Sequence, residues 1–289
     1  MSIIELKDVC FVYGKKSPYE IHALKNVSIN IEQGSITGII GHTGSGKSTL
    51  IQMLNGLIRP DSGTILINGK DIWEKPKQIS KIRYTVGMVM QYPEYQLFAD
   101  TVWEDIAYGP KNMGINGEEL KQRVESSASF CGLSSEALQK SPFDLSGGQK
   151  RRVALAGVMA MEPEILVLDE PAAGLDPRGR REILGGIIEY QKKSNKTIII
   201  VSHSMEDMAM YCDNIIVLSH GKILTTGDCK QVFSQRDMLR EAGLDVPEIT
   251  NTVYALREQG IEIPNSIYTV EGAFDAIKEY MERGNTNGL

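Results

Sequence analysis

The chain has 289 residues and a formal net charge of −6, long enough for one large domain with an appendage or for two modest domains. The mild acidity argues against a nucleic-acid partner, which ordinarily meets a basic surface. No apolar run approaches the roughly 18–20 residues that span a bilayer, and Met1-Ser2-Ile3-Ile4-Glu5 lacks the basic start and long apolar stretch of a signal peptide. The chain is therefore expected in the cytosol unless a partner holds it at a membrane.

In chain order, the alternation in Val27-Ser28-Ile29-Asn30-Ile31 predicts an antiparallel piece with one wet face before Gly34. Ser35 to Ile40 reads as an apolar strand running into a Gly-rich turn. Lys47 to Leu57 follows as a helix, closed by Gly56 and Pro60. Thr64 to Ile67 and Val86 to Met90 read as strands. The segment Thr85 to Asp144 interrupts the strand-helix rhythm with helices, as a lobe inserted into a sheet domain would. Glu118 to Cys131 and Gln149 to Met161 are its clearest helical neighbours. Ile165 to Leu168 and Thr197 to Val201 are continuous apolar runs, suited to parallel strands covered on both faces, with helix Gly179 to Lys193 between them. After about Pro247 the rhythm fades. Ile249 to Gln259 and Val270 to Arg283 are amphipathic helical patterns, and Gly284 to Leu289 reads as a frayed end. The class is α/β with a mixed sheet, added antiparallel strands, an inserted helical lobe and a small C-terminal helical appendage. Cys10, Cys131, Cys212 and Cys229 are scattered without a CxxC pair and read as reduced thiols.

Chemistry concentrates in three places. Gly41-His42-Thr43-Gly44-Ser45-Gly46-Lys47-Ser48-Thr49 fits GxxxxGK[ST] directly after a strand and before a helix. Its glycines let backbone N–H groups converge on phosphate oxygens, and the helix N-terminus adds positive potential. Lys47 is expected to reach the β- and γ-phosphates and Ser48 to place its hydroxyl on Mg²⁺. Second, Ile165-Leu166-Val167-Leu168 ends in Asp169-Glu170. Strand carboxyl ends are where ligands sit in open α/β sheets. Asp169 is suited to Mg²⁺, and Glu170 to orienting or deprotonating an attacking water. Taken alone, the pair reads equally well as a solvated strand exit. Third, Leu145-Ser146-Gly147-Gly148-Gln149 opens the helix that continues with Lys150-Arg151-Arg152 and offers a second anion site. Alone it reads as a flexible loop.

In combination these motifs resemble those of the ATP-binding-cassette ATPases. The phosphate loop, Gln91, LSGGQ, the acidic strand end, Ala173-Gly174-Leu175-Asp176 and His203 stand in that family's order, over roughly residues 3–246. The resemblance implies a P-loop NTPase fold whose helical subdomain occupies about 92–160, with an appendage over 247–289 that contacts the partner ATPase. It also implies a head-to-tail dimer, in which Ser146, Gly147, Gly148 and Gln149 of one subunit cap the γ-phosphate held by the other. Matching residues take family roles: Tyr13 stacks on adenine, Gln91 contacts Mg²⁺, His203 contacts the γ-phosphate and Asp176 communicates across the dimer. The alternative for Tyr13 is a core or edge-strand tyrosine. For His22, His42 and His220 no role beyond local packing or loop backbone contact is expected.

Gln91-Tyr92-Pro93-Glu94-Tyr95-Gln96-Leu97-Phe98 and Tyr108-Gly109-Pro110-Lys111-Asn112 are similar to segments of energy-coupling factor importers, closest to the second of their two ATPase types. That resemblance implies a second, different ATPase, a shared transmembrane coupling subunit and a substrate-capturing membrane subunit. It places the chain at the cytoplasmic face of the membrane and gives the cargo as vitamins or transition-metal ions. Tyr92, Pro93, Leu97 and Phe98 are then expected to line a groove for a transmembrane-subunit helix, with Glu94 pairing an arginine on it. The bland alternative puts these apolar residues in the lobe's own core. Ala172 stands where threonine is more usual. The competing reading is a soluble cassette ATPase acting on ribosomes or DNA, but the tandem cassettes, coiled-coil insertion or basic tracts usual there are not seen. A scaffold that does not turn over is disfavoured by intact Lys47, Asp169, Glu170 and His203.

Overall fold

The continuous apolar runs form strands that are buried on both faces. The computed structural model describes residues 1–286, with side chains described through Glu282. Strands β1 (Ser2–Tyr13) and β2 (Ile21–Glu32) precede β3 (Ile36–Ile40), which leads into helix α1 (Lys47–Leu54). Next come β4 (Ser62–Ile67), β5 (Lys70–Asp71), the single turn α2 (Ile82–Thr85) and β6 (Val86–Val89). Helices α3 (Val102–Asn112), α4 (Gly117–Phe130) and α5 (Gly147–Met159) follow without an intervening strand. The rhythm resumes with β7 (Ile165–Asp169), α6 (Pro177–Ser194), β8 (Thr197–Val201), α7 (Met205–Tyr211), β9 (Asn214–Ser219) and β10 (Lys222–Asp228). Helices α8 (Cys229–Phe233), α9 (Arg236–Glu241), α10 (Glu248–Glu258) and α11 (Val270–Thr286) close the chain.

Two sheets result. The smaller has the order β2-β1-β4-β5 with antiparallel pairing throughout, as the alternation before Gly34 predicts. The larger has the order β10-β9-β3-β8-β7-β6. Its members from β9 to β6 run parallel, and only β10 is antiparallel. Alternate residues of one strand enter different cores. Leu166 and Leu168 face the core with the helical lobe and α6, whereas Ile165 and Val167 face the core shared with α1 and the antiparallel sheet. Ile198 and Ile200 divide from Ile199 and Val201 in the same way. This two-sided burial is why no polar alternation interrupts these runs.

Several expectations need correction. Helix α1 stops at Leu54 rather than Leu57, because Gly56 turns left-handed (φ 68°) and the Leu57 N–H returns to the Gln52 carbonyl at 2.9 Å. Strand β6 matches the strand read over Val86 to Met90, so the helical insertion starts after it rather than at Thr85. The hairpin β9–β10 was not anticipated, because β10 alternates between exposed and half-buried residues and carries little apolar signal. Helices α10 and α11 pack around a small core of their own, Val253, Ile263 and Ala273. Helix α11 runs past Gly284 to Thr286, and the rest of the expected frayed end lies outside the described residues.

Leu166 is fully buried. Leu166→Ala is expected to lower unfolding stability by about 3 kcal/mol through lost transfer energy plus the cavity left behind, read as a shift of the urea midpoint.

Candidate functional site

The parallel order of the larger sheet assembles the site. Strands β3, β8, β7 and β6 all present their carboxyl ends on one edge. The phosphate loop follows β3, His203 follows β8, Asp169 and Glu170 end β7, and Gln91 follows β6. Neighbouring strands lie about 4.8 Å apart, so the strand leading to Gln91 is about 14 Å from the one leading to the loop. Residues scattered over more than 160 positions thereby line one edge.

Within the loop, Gly46 is the left-handed N-cap of α1 (φ 108°), and a Cβ there would lie 2.5 Å from the Ala23 carbonyl oxygen. Only glycine fits. Lys47 is buried and donates from Nζ to the carbonyls of Gly41 at 2.6 Å and His42 at 3.2 Å. Burial pulls its pKa below the ordinary lysine value, and the carboxylates of Glu170 and Asp169 oppose that pull. Ser48 is exposed, and Thr49 is buried and hydrogen-bonded to the Tyr13 hydroxyl at 3.2 Å. That bond sets the partly exposed Tyr13 ring beside the start of α1, edge-on to Phe11 at 4.8 Å.

The acidic strand end is electrostatically loaded. Burial raises the pKa of Asp169, with Lys47 opposing. Burial and then the Asp169 charge raise that of Glu170, opposed by Lys47, the His203 backbone amide and Arg180. Glu170 adopts a left-handed backbone (φ 52°) and donates its N–H to the Val201 carbonyl at 2.9 Å. Its Oε1 is buried without a hydrogen bond and lies 3.6 Å from His203 Nε2. Burial and the nearby Lys47 charge lower the His203 pKa, which disfavours the charged ring. A buried carboxylate oxygen left without a partner at a strand end is the kind of group that a bound water could satisfy.

The LSGGQ turn is a capping box. Ser146 Oγ accepts from the Gln149 N–H at 3.4 Å, and Gln149 Oε1 accepts from the Ser146 N–H at 3.0 Å. A Cβ on Gly147 or Gly148 would meet nothing within 4 Å, so the surface there is open. Among the described residues, none of 145–149 shares a hydrogen bond or ion pair with the phosphate loop. Asp176 caps α6, accepting from the Gly179 N–H at 2.7 Å, and its side chain is otherwise exposed.

The expected partner groove changes most. Pro93 and Leu97 are buried and belong to the lobe's own packing, because Leu97 enters the main core. Glu94 is not available to an outside arginine. Its carboxylate takes Arg151 at 3.1 Å and 3.3 Å. Only Tyr92 and Phe98 of the five expected residues stand exposed. A groove of about 280 Å³ does lie alongside, between α3 and α5, lined by Leu97, Asp105, Tyr108, Val153, Gly157 and Met161. Phe98 packs edge-on against Tyr108 at its rim, 4.9 Å between centroids. Asp105 holds the Ala99 N–H at 3.1 Å, and burial raises its pKa.

Arg151 was missed as a site residue. It read as part of a basic run at the start of a helix, yet it is buried. Besides Glu94 it donates to the Ala173 carbonyl, so one guanidinium ties the segment after Gln91, the LSGGQ helix and the turn after Glu170. Arg180, bound to Asp207 at 3.0 Å and opposing the raised pKa of Glu170, was also missed.

The family described as ABC transporter matches residues 24–173, and a shorter match to an AAA domain covers 139–208. The energy-coupling factor transporter ATP-binding protein EcfA2 of Caldanaerobacter subterraneus is 50% identical over 98% of this chain and 99% of its own length. Its namesake in Clostridium perfringens is 49% identical over the same shares. Among solved structures, cbiO1 of Clostridium perfringens, part of the ABC transporter complex cbiONQ, aligns with TM-score 0.75 at 39% identity, covering 88% of this chain and 99% of that one. A dimeric ATP-binding cassette in a post-hydrolysis state bound to ADP and Pi aligns with TM-score 0.70 at 29% identity, covering 78% and 98%.

Removing one partner of the half-buried Arg151–Glu94 pair leaves the other charge uncompensated. Arg151→Met is expected to cost about 3 kcal/mol. A double-mutant cycle with Glu94→Gln is expected to show a coupling of about 1–3 kcal/mol in chemical unfolding.

Proposed function

The chain belongs to the ABC transporter ATPases, as an energy-coupling factor transporter ATP-binding protein, and from that premise we propose how its residues turn ATP hydrolysis into transport. The carrying observation is the single sheet edge that gathers the phosphate loop, His203, Asp169, Glu170 and Gln91, while the LSGGQ turn stands exposed elsewhere. One chain thus holds half of each of two sites.

In this reading residues 41–49 cradle the triphosphate, Lys47 neutralises its β- and γ-phosphates, and Tyr13 supports the adenine. Among the described residues no group of three or more His, Cys, Asp or Glu side chains could hold a metal unaided. The oxygen donors Ser48 and Asp169, with Gln91, fit Mg²⁺ sharing its shell with phosphate oxygens and water, which bound there would neutralise developing phosphate charge. Glu170 takes a proton from the attacking water, and neutral His203 beside it orients the γ-phosphate. Ser146, Gly147, Gly148 and Gln149 of a second ATPase complete the cavity and exclude water. Asp176 faces that same junction.

The second ATPase is a different chain, and residues 247–289 form a further contact with it, beyond the cassette of 3–246 and its helical subdomain. Among the described residues no helix is long and apolar enough to cross a membrane. A transmembrane coupling subunit therefore anchors the chain at the cytoplasmic face and joins it to a substrate-capturing subunit for vitamins or transition-metal ions. The surface that receives it is the groove between α3 and α5, with Phe98 packed on Tyr108 beside it and Asp105, which also holds the Ala99 N–H, as its acid in place of Glu94.

Glu170→Gln is expected to retain MgATP binding while lowering steady-state phosphate release by the assembled complex at least about 100-fold. The acid limb of the wild-type rate should share that origin. The base works deprotonated and its pKa is raised, so activity falls with decreasing pH above the ordinary glutamate value of about 4.3. An acid limb that persists in the residual activity of Glu170→Gln would count against this assignment. Replacing Phe98 and Tyr108 with serine is expected to abolish copurification with the hydrophobic subunit while leaving ATP binding by the isolated chain intact.

A further inference from the structure

The turn between β9 and β10 belongs to none of the sequence motifs, yet it braces the phosphate loop at three points. The His220 N–H donates to His42 Nε2 at 3.4 Å, and the Gly221 N–H donates to the Ser45 carbonyl at 3.0 Å. The His42 and His220 rings lie 4.7 Å apart. The turn is itself anchored. His220 and Gly221 both have left-handed backbones (φ 49° and 79°), and the Gly221 carbonyl accepts the Lys25 N–H at 2.7 Å.

The first contact fixes where the His42 proton sits. Nε2 accepts and so carries no hydrogen. In the neutral ring Nδ1 then carries it and donates to the Thr43 carbonyl at 2.8 Å. Three consecutive carbonyls of the loop are thereby occupied from inside the protein. Gly41 takes Lys47 Nζ, His42 takes Lys47 Nζ and the Ser45 N–H, and Thr43 takes the His42 ring. An anion site requires this, because a free carbonyl lone pair would repel phosphate.

The Thr43 carbonyl and the Gly44 N–H share one planar trans peptide and point in opposite directions. Drawing the Thr43 oxygen onto His42 turns the Gly44 N–H away from the ring. That N–H has no acceptor among the described residues. We propose that His42 is a positioning residue: held in one tautomer by the β9–β10 turn, it aims the Gly44 N–H at the triphosphate and withdraws the Thr43 carbonyl from it.

This inference rests on the phosphate-binding reading of residues 41–49, and the test separates the two. His42→Phe keeps the ring and the stack on His220 but removes both hydrogen bonds. Its expected effect on the assembled complex is a rise of about five- to tenfold in the KM for MgATP, with kcat within about twofold and an unchanged thermal midpoint. His220→Ala removes the stack but keeps the backbone donor, and its KM should move less than about twofold. A wild-type KM in His42→Phe overturns the proposal. So does a fall in kcat and thermal midpoint at constant KM, which would mark His42 as structural packing. In parallel, Lys47→Ala should abolish MgATP binding. Intact binding there sinks the loop reading and this inference together, whereas lost binding beside an unaffected His42→Phe sinks this inference alone.

Discussion

The site depends on strands that are buried on both faces and run parallel. Burial on both sides forces each strand to be apolar along its length, so polar chemistry is expelled to the strand ends. Parallel pairing then sends every carboxyl end to the same edge. The loop after Ile40, His203 after Val201, Asp169 and Glu170 after Leu168, and Gln91 after β6 meet because of strand order, not because of sequence proximity. A reversed β7 would keep every motif intact and move the carboxylates to the far edge of the sheet.

Charge makes that edge expensive and useful. Lys47, Asp169 and Glu170 lose water on folding, and each is shifted toward its neutral form by burial before the opposite charges partly restore it. Lys47 satisfies itself on the loop carbonyls, whereas Glu170 Oε1 does not satisfy itself at all. The left-handed backbone at Glu170, with its N–H fixed on the Val201 carbonyl, holds that strain in place. The cluster carries two acids against one amine, so a cationic ligand is favoured there, and the Glu170 carboxyl is held above its ordinary pKa.

The legible features were those set by local rules. Lys47, Ser48, Asp169 and Glu170 follow from short spacing at a strand end, and the core strands follow from their uninterrupted apolar runs. Features that join distant segments were not legible. Arg151 and Glu94 are 57 residues apart, and each alone reads as a solvated charge. His42 and His220 are separated by 178 residues. Pro93 and Leu97 suit a groove or a core by composition; the structure buries both, and Leu97 both enters the main core and lines the α3–α5 groove. The β10 strand escaped notice because its edge position lets it alternate with polar residues.

The Arg151 contacts bear on how a docked helix could reach the chemistry. Its guanidinium is planar and its donors form a fixed fork, so segments bound to it move together or the bonds break. Glu94 lies on the segment after Gln91, bordering the groove, and Ala173 lies three residues beyond Glu170. Arg151 itself is five residues beyond Ser146, on the helix that Ser146 caps. A push on the groove therefore cannot displace the Gln91 segment alone. It carries the LSGGQ helix and the turn after the base with it, since a half-buried Arg–carboxylate pair costs several kcal/mol to pull apart. In the proposed docking, a push on the groove reaches the ATP site through three segments held by a single guanidinium, that of Arg151, without a flexible relay.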